Sequence, residues 1–243
     1  MIRKKILFTI LIFGLFFSSI NFNKVEAKET TSFKNDKVKY TTLEMSDTYS
    51  KVKVEYLKTG KIEYLESVLE DGEFVNYVLS SDNKKIHKIE AIEENIYVDG
   101  ELYGGETSES VEQVNKLAVS PKVTTDIQSE GASTAAITWE YLSTSKGNSS
   151  WKYANATLIA GVIATVLGVP AGYAIVLSIA ATFAGLELTT VYWKKYHYVD
   201  ANRTYNTCKR AANSLFYKYS NYTSYIRSSG LIVESVDPCN SPY

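Results

Sequence analysis

The sequence of 243 residues is poor in the side chains that most often bind metals or act as nucleophiles. It has two histidines, His87 and His197, and two cysteines, Cys208 and Cys239. His87 lies in a predicted strand with no second ligand nearby, so a metal site has no adequate cluster. The sequence also lacks a phosphate-binding loop, a dinucleotide fingerprint, a Gly-x-Ser-x-Gly elbow and a zinc-protease motif. We therefore expect no metal, no cofactor and no catalytic residues.

The N-terminal segment has the order of a secretory signal peptide. Arg3, Lys4 and Lys5 precede an apolar run over 6–17, and Val25-Glu26-Ala27 gives a small-x-small cleavage site. We expect residues 1–27 to be removed and the protein to be secreted. An uncleaved N-terminal anchor is the alternative, although the apolar run is short for a membrane span.

In an exported chain the two cysteines are expected to pair. A disulfide between Cys208 and Cys239 would tie the tail to the preceding segment and stabilise the fold by roughly 3 to 4 kcal/mol. His197 precedes Cys208, but neither residue lies in a motif typical of a Cys/His nucleophile site, and a paired cysteine cannot act as a nucleophile.

Charge divides the chain after the leader into two halves. Residues 28–130 contain 13 lysines, no arginine and 21 acids, whereas residues 131–243 contain 9 lysines and arginines and 5 acids. The net charges are −8 and +4, an asymmetry that is informative about domains and partners. We predict an acidic β-rich domain over 28–104, a linker over 105–136 that proteases could cut, and a basic, aromatic helical domain over 137–243.

The acidic half has the period-two alternation of β-strands. Strands are predicted over 50–57, 61–69, 73–79, 85–92, 96–98 and 101–103, with Thr59-Gly60, Asp71-Gly72 and Asp99-Gly100 as turns. Short strands broken at near-regular intervals predict an antiparallel meander. Its acids alternate as on a solvated face, so we interpret them as structural.

No charged residue occurs between Ala154 and Leu186. A single helix of that length would exceed a bilayer's hydrocarbon core, and Pro170 interrupts it, so we predict a helical hairpin over 151–192 with arms of about 27 and 33 Å. Small residues at a spacing of four would let the arms pack closely, and aromatic residues flank the run. The hairpin could equally be the buried centre of a soluble helical domain. The residues expected to insert into a membrane are Trp151, Ala156, Ala160, Ala164, Gly168, Pro170, Gly172, Ala174, Ser178, Thr182, Tyr192 and Trp193.

After the hairpin the chain is basic and rich in tyrosine. Apolar residues from Cys208 to Ile226 recur at helical spacing and predict an amphipathic helix suited to an anionic lipid surface, or an ordinary surface helix covering the hairpin. Nucleic acid is a poor candidate partner, because a secreted chain seldom meets any. The residues expected to dock on an anionic surface are Lys194, Lys195, Arg203, Lys209, Arg210, Lys218 and Arg227.

The expected fold class is therefore α+β: an N-terminal antiparallel β-meander domain followed by a C-terminal helical domain built on a hydrophobic helical hairpin. The predicted order is a leader, an acidic domain, a linker and a basic unit with an apolar hairpin. A secreted membrane-active toxin needs this layout. The alternative is a non-lytic, membrane-anchored or secreted surface protein whose β domain binds a partner.

Residues 150–227 resemble the geobacillin-type large secreted bacteriocins of Gram-positive bacteria, mainly through two segments, SWKYANATLIAGVIATVLGVPAGYA (150–174) and VYWKKYHYVDANRTYNTCKRAANSLFYKY (191–219). The resemblance implies a secreted antibacterial protein that inserts its hairpin into the membrane of a target cell and permeabilises it. Its partner would be that membrane, including anionic lipid. The sequence does not specify a receptor or an immunity protein.

Overall fold

A computed structural model describes residues 31–108, 138–151, 155–201 and 208–237. The predicted signal peptide and most of the predicted linker, including residues 109–136, lie outside the described residues. So do Arg203 and Cys239. The backbone of Cys208 pairs with Asp237, but the predicted disulfide itself also lies outside the described part of the chain.

Twelve antiparallel strands form one sheet, and each strand pairs with the next along the chain. They are β1 (Ser32–Lys34), β2 (Val38–Met45), β3 (Tyr49–Tyr56), β4 (Ile62–Glu70), β5 (Glu73–Leu79), β6 (Lys85–Ile92), β7 (Asn95–Val98), β8 (Glu101–Ser108), β9 (Trp139–Ser150), β10 (Thr190–Asp200), β11 (Cys208–Tyr217) and β12 (Tyr225–Asp237). Two helices, α1 (Ala156–Leu167) and α2 (Ala174–Leu186), lie between β9 and β10.

The prediction of a C-terminal helical domain is wrong. The chain from Thr190 onward is mainly β10, β11 and β12, and the two short helices are the only helices among the described residues. The predicted amphipathic helix is instead two strands, because the same residues also satisfy a period of two: Ala212, Ser214 and Phe216 are buried on one face of β11. Alternation of that kind favours a strand when a neighbouring sheet edge is available for pairing.

The acidic half forms the meander that its alternation predicts, with two additional strands, β1 and β2, at its start. Val52 and Val54 of β3 are fully buried, whereas Lys51 and Lys53, which alternate with them, face outward and pair with Glu66 and Glu55. β8 continues past residue 104 to Ser108 and pairs with β9, with Gly104 opposite Ser149. The acidic and basic halves therefore share a single sheet.

The sheet curls around the two helices. α1 packs on β4, β5 and β6 in the middle of the acidic half, whereas α2 contacts β1, β2 and also β12. The first and last strands are thus brought to the same helix. Ten of the twelve α1 residues and eight of the thirteen α2 residues are buried, as expected of helices that are apolar on every side.

Gly147 of β9 is expected to be essential for packing the sheet. A Cβ at this position would overlap the indole ring of Trp193, which is buried, and would lie 2.7 Å from the carbonyl oxygen of Gly105. Gly147→Ala should lower the free energy of unfolding by about 1 to 3 kcal/mol, the usual cost of overpacking, in urea denaturation. The control is Gly185→Ala in α2, where the nearest atom is 3.4 Å away. It should be neutral or stabilise by up to about 1 kcal/mol, and equal losses for both variants would contradict the prediction.

Candidate functional site

The start of α1 is fixed to the sheet by a buried carboxylate. Glu63 of β4 is 1% exposed, yet its Oε2 accepts hydrogen bonds from the Thr157 hydroxyl at 2.5 Å and the Tyr56 hydroxyl at 2.9 Å. The Lys61 ammonium lies 2.6 Å from the other carboxylate oxygen. Burial opposes ionisation, but these three donors hold the pKa of Glu63 below its ordinary value. Asn155 caps the helix by accepting from the amides of the first turn.

The turn between the helices is held by three inward hydroxyls. Ser67 Oγ accepts from the Ala171 amide at 2.8 Å, and Ser50 Oγ accepts from the Gly172 amide at 3.0 Å. The Thr42 hydroxyl donates to the Gly172 carbonyl at 3.0 Å. These buried backbone groups would otherwise lack partners, since the turn has left the helical hydrogen-bond pattern.

The end of α2 is held by the β1–β2 turn. The Asn35 side-chain amide donates to the Ala181 carbonyl at 2.6 Å, and Lys37 Nζ donates to the Gly185 carbonyl at 2.9 Å. Lys37 also forms an ion pair with Glu187 at 2.8 Å. We call these three groups of contacts, at the start, turn and end of the hairpin, the polar anchors.

Between the anchors, α1 approaches the sheet closely at Gly161. A Cβ built there would overlap Ile89 Cδ1 of β6 and lie 3.7 Å from Asn76 Cβ of β5. One turn further on, Asn76 donates to the Thr165 hydroxyl at 3.0 Å. The absence of a side chain at position 161 therefore sets the distance between helix and sheet.

The structure places the residues predicted to enter a membrane mostly inside the protein. Ala156, Ala160 and Ala164 are buried, and Gly168 ends α1 in the left-handed conformation at a φ of 65°. Pro170 and Gly172 belong to the anchored turn. In α2, Ala174 is exposed, while the hydroxyls of Ser178 and Thr182 donate to carbonyls of their own helix.

The aromatic residues predicted to flank the hairpin at a lipid interface are divided between the two faces of the sheet. Trp151 and Trp193 are buried, and the Trp151 indole donates to the Leu188 carbonyl at 2.7 Å. Tyr192 faces outward from β10. The helices are about 18 and 20 Å long, and no helix among the described residues is both long and apolar enough to cross a membrane.

Tyrosine and lysine side chains cluster on the outer face of the sheet where β9, β10, β11 and β12 meet. Tyr222 lies edge-on to Tyr192 and Tyr217, with ring centroids 6.5 and 5.8 Å apart. The ammonium groups of Lys194 and Lys146 lie 4.8 and 5.5 Å from the centroid of the Tyr222 ring, a cation–π geometry. Tyr225 packs on Tyr217 at 6.2 Å. We call Lys146, Tyr192, Lys194, Tyr217, Tyr222 and Tyr225 the tyrosine–lysine face.

The cations predicted to dock on an anionic surface do not lie together. Lys194 belongs to the tyrosine–lysine face, and Lys218 lies in the adjoining β11–β12 turn, over the Tyr219 ring at 5.4 Å. Lys195 faces the opposite side of the sheet, where its positive charge favours the ionised form of Glu106. Lys209 and Arg210 lie at the other end of β11, and Arg227 is an exposed residue of β12.

The inner face of β8, β9 and β10 brings together a serine, a histidine and a glutamate that sequence reasoning missed. Ser145 Oγ lies 2.9 Å from His197 Nε2 and also contacts Glu106. The Glu106 carboxylate lies 3.7 Å from the same His197 nitrogen. A catalytic triad needs the carboxylate on the opposite ring nitrogen, so this cluster is not arranged as one.

No group of three potential metal ligands occurs among the described residues. His87 instead contacts Asp99 through Nδ1 at 2.7 Å and braces the turn after β7. A recess of about 330 Å³ beside Lys61 and Glu63 is open to solvent and contains no further titratable group.

No protein-family model, curated protein or solved structure matches this chain. The resemblance to geobacillin-type bacteriocins therefore stays a prediction.

Removing the charge of Glu63 should weaken the fold in a pH-dependent way. The folded-state pKa lies below the ordinary value of 4.5, so this group stabilises the fold above that pH, and the contribution is lost as the pH falls through the folded-state pKa. Glu63→Gln should lower the free energy of unfolding by about 2 kcal/mol at pH 7, and the difference from wild type should shrink at pH 3.

The matched control for this prediction is Glu66→Gln, which removes an outward carboxylate from the same strand. Glu66 pairs with Lys51 at 3.0 Å on the outer face, so its loss should cost under about 1 kcal/mol. Urea denaturation at both pH values measures the two variants. A pH-independent loss in Glu63→Gln would show that the carboxylate is not held ionised in the folded state.

Proposed function

We propose that this is a secreted, bacteriocin-like antibacterial protein that keeps an uncharged helical hairpin inside its sheet in water and transfers it to the membrane of a target cell. The observation that carries the proposal is the way the hairpin is held: its polar contacts with the surrounding sheet are concentrated at its start, turn and end, and the two helices between them are packed mainly through apolar side chains. The resemblance of residues 150–227 to geobacillin-type bacteriocins agrees with it.

Transfer would exchange one apolar environment for another. The apolar side chains that leave the sheet would be buried again in lipid, so the main cost would lie in the polar anchors and in opening the sheet. Arms of about 18 and 20 Å reach roughly two thirds of the way across a hydrocarbon core of about 30 Å. A hairpin of this length would perturb the bilayer without forming a regular span.

A disulfide between α1 and β5 should prevent this transfer. Asn76→Cys and Gly161→Cys place their Cβ atoms about 3.7 Å apart, within the range of a disulfide, and Ile89→Val removes the methyl group that the new Cβ would overlap. The oxidised triple variant should release less than about a tenth of the dye that its reduced form releases from anionic vesicles. The link keeps the hairpin inside the sheet for as long as it stays oxidised.

The reduced form of the same variant is the matched control, and peptide mass mapping verifies the link between positions 76 and 161 apart from Cys208 and Cys239. Equal leakage from both forms would show that the hairpin does not leave the sheet. Absence of leakage from the wild-type protein at micromolar concentration would remove the proposed function.

The second candidate is a non-lytic secreted surface protein that never opens. It is favoured by the completeness of the polar anchors, which satisfy the backbone of the turn inside the protein. Such a protein would bind cells equally well in the oxidised and reduced forms of the triple variant. It would release no dye in either form.

A further inference from the structure

The tyrosine–lysine face lies at the end of β9 to β12 that is nearer the hairpin. These strands and the β11–β12 turn contain seven lysines and arginines and four acids. The four acids, Glu140, Asp200, Glu234 and Asp237, all lie toward the other end of the strands. Lys146, Lys194 and Lys218 therefore give the hairpin end of these strands a local excess of positive charge, in a chain whose overall net charge is −1.

Tyr225 is the most exposed tyrosine of this face, whereas Tyr192, Tyr217 and Tyr222 are partly buried. Tyr225 is 57% exposed, and Tyr219, in the neighbouring turn, is 51% exposed. Tyr222 and Ser224 in the same turn have left-handed backbone conformations, with φ of 56° and 58°. Such conformations are unfavourable for residues other than glycine and concentrate at functional sites. Half-exposed tyrosines beside lysines suit the boundary between water and a lipid bilayer, where the ring is apolar and its hydroxyl is hydrated.

The face also lies beside the two connections to the hairpin. The chain leaves the sheet for α1 after Ser150 and returns from α2 at Thr190, and these two residues are paired. Two residues further along, Tyr192 pairs with Asn148 on one side and with Tyr217 on the other. A surface bound by this face would therefore meet the protein at the stems of the hairpin.

We propose that the tyrosine–lysine face docks the folded protein on an anionic lipid bilayer before the hairpin moves. Lys146 and Lys194 contact the headgroup phosphates, and the tyrosine rings lie at the level of the headgroups. This inference rests on the proposed function, for which it supplies the first step. A phosphate-rich glycan of the cell envelope is the rival partner, and the experiment separates the two.

The test measures binding of the full mature chain to sucrose-loaded vesicles by co-sedimentation, with phosphatidylcholine alone or mixed with phosphatidylglycerol. Wild-type protein should bind the anionic vesicles with an affinity that falls as salt is added. Lys146→Gln with Lys194→Gln should bind them roughly 20- to 30-fold more weakly, about fivefold for each lysine. The matched control, Lys34→Gln with Lys84→Gln, makes the same change of charge on the acidic half and should bind within about twofold of wild type.

Binding and dye release are recorded on the same samples, so that the two proposals can fail separately. If binding to anionic vesicles requires Lys146 and Lys194 but no dye is released, the docking proposal is supported and only the proposed function is removed. If the two double variants bind vesicles equally and release equal amounts of dye, the docking proposal is overturned and the proposed function stands. Binding to isolated cell-wall polymer that requires Lys146 and Lys194, without binding to vesicles, overturns the lipid assignment in favour of the glycan. Circular dichroism melting of both variants verifies that they are folded.

Discussion

A helix that is apolar on every side cannot face water, and this constraint organises the molecule. α1 and α2 together have no polar face that could form an outer surface, so the sheet has to enclose them. Twelve strands in simple succession provide the enclosure by curling until β1 and β12 both reach α2. The alternation of each strand then separates a charged outer surface from an inner surface that meets the hairpin.

Enclosure alone does not fix where the hairpin lies, because apolar contact has no preferred direction. Position comes from polar residues on the inner side of the sheet, which meet the ends and turn of the hairpin where backbone groups need partners. The start and turn lie under the centre of the acidic half, whereas the end of α2 lies under β1, a strand of only three residues at the sheet's edge. Opening the sheet at this edge would free α2 before α1. The polar anchors on Ser50, Glu63 and Ser67 would be the last to break.

The sequence predicts much of the meander, because β3 to β8 alternate clearly and are separated by Gly-containing turns. It does not predict the C-terminal strands, since residues 208–226 satisfy helical and strand periods equally and only pairing along β10 decides between them. The inward position of Glu63 could not be predicted either. Ile62 and Tyr64 beside it are apolar, so alternation does not show which side of β4 faces inward. The contact between Ser145, His197 and Glu106 depends on the register of three strands, which no local pattern reveals. A helix would place Lys194 and Lys195 on one broad surface, whereas a strand sends them to opposite faces.

Burial within its own sheet is sufficient to explain why the hairpin lacks charge, so its composition alone no longer favours lipid over protein as its environment. The position of the hairpin's stems favours lipid more strongly than its composition does. A hairpin that served only as a core would need enclosure, but its stems would need no particular charge or side chains on the outer surface. In this protein the stems begin beside a surface with lysines and tyrosines, and the acids of β9, β10 and β12 lie toward the other end of those strands. The acids of the same sheet are concentrated in the half where α1 is held. Attraction to an anionic bilayer would therefore orient the molecule with the hairpin's connections toward the lipid and the acidic half away from it.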